Sequence, residues 1–274
     1  MKRVIWASHV ACSLFFLSAC VSTERTVEEE EALPLPTRII DLSPTITEDL
    51  PVRIWGSALL EDHGFRERTE FEHIVNQLEP RAEWDGYVAN SYWTLMNHGG
   101  PHVDAPNHMI EDAPSIVDYE LEQLIGPVHL LDVRSFAPNE SVPRSFVEAQ
   151  GVDPGDIVIL FVGYVPPSEP NEFPIYPYLS GEAAEYLAEL PIKAFATDAL
   201  SSDAMPQPED APERMDVGPV VHSAFLPRGI PVIEQLVNVE SLLNEDNAVF
   251  VGFPLKVEGG NGSPIRAAAL IYEN

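Results

Sequence analysis

Short blocks of apolar and polar positions run along the chain. "RIIDLSPTI" sets β-branched residues before a Ser-Pro turn and predicts a first strand near Arg38. "FEHIVNQL" fits a short strand or a short helix. Asp85-Gly86 is a hairpin-type turn signal. After it "YVANSYWTLMNH" alternates, predicting a strand with Tyr92, Thr94, Met96 and His98 on one side. "SIVDYELEQLI" predicts a helix, "PVHLLDV" a strand, and "SFVEAQG" a short helix ending at Gly151. The nearly unbroken apolar run "DIVILFVGY" predicts a central, buried strand. Beyond the proline-rich "VPPSEPNEFPIYPY", Ser180 is placed to cap a helix in "GEAAEYLAEL". "KAFATDA" predicts another strand, and "PVIEQLVNVESL" mixes signals. "NAVFVGFPLKV" and "IRAAALIY" predict two closing strands joined by the glycine-rich "EGGNGSP". Strands and helices alternate with no internal repeat and no break. The expectation is a single mixed α/β domain over residues 38–274, a central β-sheet flanked by helices.

Composition narrows the class. The 274 residues are 45% hydrophobic, enough for one sizeable core. Forty-four acidic residues against 15 basic ones give a net charge of -29, which repels phosphate backbones and argues against nucleic acid as a partner. The N-terminus reads as an address. Lys2 and Arg3 precede an apolar stretch from Val4 that is short for a membrane span, and "LSAC" resembles a bacterial lipoprotein signal. On that reading residues 1–19 leave as a signal peptide and Cys20 carries lipid. Residues 20–37, with "EEEE" and "ALPLP", then tether the domain to the membrane. Cys12 leaves with the signal, so no disulfide forms in the mature domain. The expected location is the bacterial cell envelope, lipid-anchored and facing the periplasm or exterior.

The candidate chemistry lies in "HGGPHVDAPNH", from His98 to His108, where three of the eight histidines and a carboxylate fall together. His98 and His102 have the spacing that HExxH proteases place on one helix face. Gly99, Gly100 and Pro101 between them oppose a helix, and the protease glutamate is absent. A straight strand would put the two Cα atoms about 13 Å apart, too far for imidazoles to share an ion comfortably. The chain must therefore bend if they share one. The glycines permit a bend and Pro101 stiffens its exit. Asp104 lies on the same side of an extended segment as His102. Nitrogen and oxygen ligands of this kind suit Zn²⁺ or Mn²⁺ in a hydrolytic role.

The stretch resembles the His-x-x-x-His-x-Asp-x-Pro-x-His motif of the cyclase family of metal-dependent hydrolases, which includes bacterial kynurenine formamidases and isatin hydrolases. The resemblance extends to "IIDLSPTI", "ATDALSSD", "HSAFLPRGIPVIEQLVNVESL" and the closing "GSPIR", covering roughly residues 38–272 in order. It implies a cyclase-like (swivelling β/β/α) fold. It also implies that His98, His102 and Asp104 are ligands of a first metal and that His222 and Glu234 belong to a second, with Asp104 and Glu234 bridging. It makes His108 the acid/base and Trp55 a substrate contact. Pro101 stands where the family motif carries threonine, and Met109 where phenylalanine is usual.

Other residues are read more plainly. His63, His73 and His129 lack ligand company. Asp198, Ser202 and Asp203 are expected to hydrogen-bond near the site or touch substrate. Arg266 is expected in an ion pair in the core or at an interface, and Tyr92 and Trp93 as packing residues, one of them lining the pocket. The resulting expectation is a hydrolase of an amide, lactam or related C–N bond in a small aromatic or cyclic substrate. It would use one or two divalent ions, Zn²⁺ or Mn²⁺, to activate water, and would form a homo-oligomer. The competing expectation is a binding lipoprotein that kept fold and metal without turnover; His108 argues against it, since a binder needs no acid/base.

Overall fold

A computed structural model describes residues 35–47, 70–77, 87–165, 175–204 and 219–272. Cys20, His63, Trp55 and most of the expected tether lie outside the described residues. The strands are β1 (Arg38–Asp41), β2 (Glu70–Gln77), β3 (Tyr87–Thr94), β4 (His102–Asp104), β5 (Ile125–Asp132), β6 (Ser141–Val142) and β7 (Ile157–Phe161). They continue with β8 (Tyr178–Leu179), β9 (Ala194–Thr197), β10 (Val232–Glu234), β11 (Ala248–Val251), β12 (Gly262–Pro264) and β13 (Ala268–Ile271). The α-helices are α1 (Arg144–Glu148), α2 (Gly181–Glu189) and α3 (Val220–Phe225).

Among the described residues, nine strands form one mixed sheet in the order β1-β13-β11-β5-β7-β9-β10-β4-β12. The centre, β5-β7-β9-β10, is parallel, and both flanks are antiparallel. Chain geometry forces this sheet to curl. Seven strand spacings separate β13 from β12, roughly 34 Å if the sheet lay flat. Yet Pro264 and Ala268 are only four residues apart, a reach of about 14 Å at most. The flanks must therefore bend toward each other.

Alternation sorts the side chains between two cores. Ile157, Ile159 and Phe161 of β7 join Val103, Ala194, Ala196, Ile233, Phe250 and Ala269 inside the curl. Val158 and Leu160 point the other way, with Phe195 and Val232, against the helices. There α2 supplies Ala183, Ala184 and Leu187, and α3 supplies Val221, Ala224 and Phe225. Phe195 and Phe225 stack with ring centroids 5.1 Å apart. The N-terminus of α2 is capped as expected: the Ser180 hydroxyl accepts the Ala183 N–H at 3.1 Å.

Several expectations change. "SIVDYELEQLI" forms no α-helix but two 3₁₀ turns, Ile116–Asp118 and Leu121–Leu124, that run into β5. Each is too short to gain helical cooperativity, and each is closed by its own side-chain capping box. "FEHIVNQL" resolves as strand, pairing with β3 in a separate two-stranded sheet. β3 ends at Thr94, so its alternation does not carry through Met96 to His98, which lies in a turn. "GSP" is not mere connector but the strand β12, paired to β4. Arg266 does form an ion pair, with Asp41, but in solvent: their side chains are 77% and 45% exposed. Tyr92 and Trp93 are two-thirds exposed (66% and 67%).

Candidate metal centre

The site is assembled by β4, its two neighbours and α3. Glycine initiates it: Gly100 takes a left-handed φ of 68°, the bend that separates His98 from β4. In β4, Val103 points into the curl while His102 and Asp104 share the opposite face. β10 lies alongside with Glu234 opposite His102, and β12 lies on the other side with Gly262 opposite Asp104. α3 covers this face and lowers His222 toward it. Gln235 follows Glu234 at φ 64°, a left-handed conformation uncommon for a non-glycine residue. Its N–H is held by Ala199 O at 3.0 Å, and its side-chain amide donates to the carbonyls of His98 and Leu200.

Asp104 is the hub. Its Oδ1 lies 2.6 Å from His98 Nδ1 and 3.4 Å from His102 Nε2, and its Oδ2 lies 3.2 Å from His222 Nε2. Glu234 Oε2 is 3.6 Å from His102 Nε2, and Oε1 is 3.5 Å from His222 Nε2. His102, Asp104, His222 and Glu234 are all buried (1%, 1%, 6% and 5% exposed). Two groups of ligand atoms each fall within 4.8 Å of one another: His98, Asp104 and His108, and His102, Asp104 and Glu234. All five expected ligands and His108 therefore converge. His98 and His102 both face Asp104 Oδ1, and His102 and His222 both face Glu234.

The residues fit a divalent cation. His102 Nδ1 is held by Gly100 O at 2.8 Å and His222 Nδ1 by Asp203 Oδ2 at 2.5 Å. Both partners fix the proton on Nδ1 and leave Nε2 aimed at the two carboxylates, the arrangement that orients metal-binding histidines. Among the described residues no lysine or arginine contacts Asp104 or Glu234. Positive charge must come from the imidazoles themselves. Burial lowers the proton affinity of His102, but Asp104 and Glu234 outweigh it and leave it raised. Burial likewise opposes, and Asp104 and Asp203 overcome, in His222, which is raised well above the usual histidine range. Burial would raise Asp104, yet His102, His222 and His98 hold it well below the usual carboxylate range. A cation in this place would take over the charge those protons supply.

His108 differs. Burial, reinforced by the neighbouring imidazoles and only partly offset by Asp104, lowers it to about 4. Its ring centroid is 4.1 Å from that of His98 and 5.7 Å from that of His222. It is thus a half-buried, neutral imidazole beside the ligand cluster, with Met109 exposed next to it in sequence.

The expected neighbours take definite roles. Asp203 accepts the Val221 N–H at 2.6 Å as well as holding His222. The Ser202 N–H donates to Glu234 Oε1 at 2.6 Å, so Ser202 supports a carboxylate through its backbone. Asp198 accepts N–H groups from Val162 and Tyr164 and reaches no ligand among those described here. His129 pairs with Asp156 at 3.4 Å, away from the site. Sequence reasoning missed Tyr119, whose hydroxyl donates to Asp104 O at 2.9 Å, and also Gln235, Asn97 and Asn261. It also missed why Gly262 is glycine: a Cβ there would meet His98 Cε1 at 2.5 Å. Asn261 and Gly262 lie in a segment that looked like a connector.

Fold and site together define a protein with a buried histidine–carboxylate centre on a curled α/β sheet. The Cyclase family model matches residues 40–204, and the chain belongs to that family. Among curated relatives, the kynurenine formamidase of Bacillus mycoides (strain KBAB4) is 26% identical over 186 residues, covering 68% of this chain and 81% of the relative. Two solved structures share the fold. An isatin hydrolase bound to the product analogue thioisatinate superposes with a TM-score of 0.67 at 20% identity, covering 86% of this chain and 93% of its own. Isatin hydrolase A from Labrenzia aggregata, bound to benzyl benzoate, gives 0.66 at 24% identity, covering 86% and 94%.

Proposed function

We propose that this protein is a metal-dependent hydrolase that cleaves the C–N bond of a small amide or lactam. The observation that carries this reading is the convergence on Asp104 of four imidazoles and Glu234 with, among the described residues, no lysine or arginine contacting the carboxylates. Kynurenine formamidase and isatin hydrolase, the activities named for the relatives, both open a carbonyl–nitrogen bond.

His98, His102, Asp104, His222 and Glu234 would hold the cation, Zn²⁺ or Mn²⁺, as one ion or two. Those residues would place there a Lewis acid able to polarise a carbonyl and to make water more acidic. The chain does the rest. Gly100 O and Asp203 keep His102 and His222 in one tautomer, so no reorganisation is needed during turnover. His108, neutral because burial depresses it to about 4, takes a proton as water adds to the carbonyl carbon. It returns that proton to the leaving nitrogen as the C–N bond breaks. Trp55 serves as a substrate contact.

The resemblance of "LSAC" to a lipoprotein signal supports a place in the cell envelope, with lipid on Cys20 and an acidic tether. That location favours an imported or environmental substrate, and an isatin-like lactam suits it. The protein assembles as a homo-oligomer. Adjacent Tyr92 and Trp93 lie on opposite faces of a two-stranded ribbon and are both exposed in the single chain, and such ribbons are marginal in water alone.

Hydrolysis assays on N-formylkynurenine, isatin and simple lactones, with Zn²⁺ or Mn²⁺ added, test the reading. Turnover of an amide or lactam supports it. Inactivity across the panel in protein that binds metal favours the non-catalytic binder.

A further inference from the structure

Beyond the ligands, one pair of amides aims the first histidine. We propose that Asn261, backed by Asn97, is a positioning residue that makes His98 present Nδ1 to the cation, whereas His102 and His222 present Nε2. The inference rests on the metal-site reading above. His98 faces Asp104 Oδ1 through Nδ1 at 2.6 Å, and its Nε2 lies 3.2 Å from Asn261 Oδ1. A neutral imidazole carries one proton, and an amide oxygen can only accept. With Nδ1 turned to the carboxylate side and given to a cation, the one proton belongs on Nε2, where Asn261 Oδ1 accepts it.

The oxygen is itself oriented. Asn97 Nδ2 donates to Asn261 Oδ1, across 164 positions of sequence, and lies 3.5 Å from Gly262 O. Asn261 also accepts the Ala105 N–H on its backbone carbonyl at 3.0 Å, which fastens its loop to the end of β4. The next residue, Gly262, leaves the space in which the His98 ring lies. The arrangement has a geometric purpose. Nδ1 is bonded to Cγ, so a histidine that ligates through Nδ1 brings an ion closer to its backbone than one that ligates through Nε2. His98 approaches from a turn just before β4, and the shorter reach matches that position.

The test uses the full chain loaded with Zn²⁺ and labelled with ¹⁵N. Long-range ¹H–¹⁵N spectra distinguish a protonated ring nitrogen from a ligated one. The expected pattern is protonated Nε2 and zinc-bound Nδ1 for His98, with the opposite pattern for His102 and His222. Asn261→Ala should lower zinc affinity about 10–100-fold in a chelator competition. Asn261→Asp, which keeps an acceptor oxygen, should restore affinity to within a few-fold. Zinc bound to Nε2 of His98 in the wild-type protein overturns the proposal alone, as does wild-type affinity in Asn261→Ala. Should Asn261→Ala not fold, the wild-type spectrum decides. Wild-type protein that takes up neither Zn²⁺ nor Mn²⁺ overturns the functional reading, and this inference with it.

Discussion

The imidazole of His108 lies with its centroid 4.1 Å from that of His98, tilted by 33°. Two adjacent imidazoles need different roles to coexist at neutral pH. His98 is tied to Asp104, while His108 is left neutral by burial. His108→Ala should therefore lower kcat/KM by about 10²–10⁴-fold while metal content stays near that of wild type. Elemental analysis beside steady-state kinetics checks this. Loss of metal in the variant would make His108 a ligand rather than the acid/base.

Gly262→Ala separates fold from site. The added Cβ collides with the end of the His98 side chain, not with backbone, so the ring can swing away and the sheet can remain. Stability of the metal-free protein should change by less than about 1 kcal/mol. Metal affinity should fall about 10–100-fold, because the ring leaves its place beside Asp104. Thermal unfolding and a chelator competition measure the two effects separately, and an unchanged affinity would show that His98 is not a ligand.

Asp203→Ala should cost both. It removes the acceptor that fixes the His222 tautomer and the acceptor of the Val221 N–H at the start of α3. A tenfold or greater loss of metal affinity is expected, with about 1–3 kcal/mol lost in urea unfolding from the orphaned donors. A variant that unfolds earlier but binds metal normally would confine Asp203 to a structural role.

Asp198 gives a pH dependence free of the metal site. Burial raises its carboxyl above the ordinary value, despite the Val162 and Tyr164 N–H groups it accepts. A raised carboxylate contributes stability that is fully present below its unfolded pKa and is lost as pH rises through the folded one. The stability of wild type relative to Asp198→Asn should thus be greatest at acid pH and decline as pH rises above the ordinary aspartate range, about 4. Urea unfolding of both proteins from pH 4 to 7 follows it, and a relative stability that rises with pH would contradict the assignment.

Much of the site was legible because it is local. His98 through His108 lie within eleven residues, and the glycines there permitted the bend that a shared ion would need and that Gly100 makes. The alternation of β4 likewise put His102 and Asp104 on one face. What escaped depends on contacts distant in sequence. Nothing near Asn261 signals that its oxygen meets an imidazole 163 positions away, and Gly262 looks like a turn glycine until β12 pairs with β4. The "SIVDYELEQLI" block misled because its helical periodicity is overridden by two capped turns that feed directly into β5. The β3 alternation was real but stopped at Thr94, short of the histidine it was expected to orient. Tyr92 and Trp93 show a different limit: aromatic content predicts burial, yet both side chains are two-thirds exposed.

Chelator stripping followed by metal reconstitution, read as hydrolysis of an amide or lactam substrate, tests the central claim most directly. The account predicts that stripping abolishes turnover and that Zn²⁺ or Mn²⁺ restores it in wild type but not in Asp104→Asn. Turnover that survives complete metal removal, or full restoration in Asp104→Asn, would contradict it.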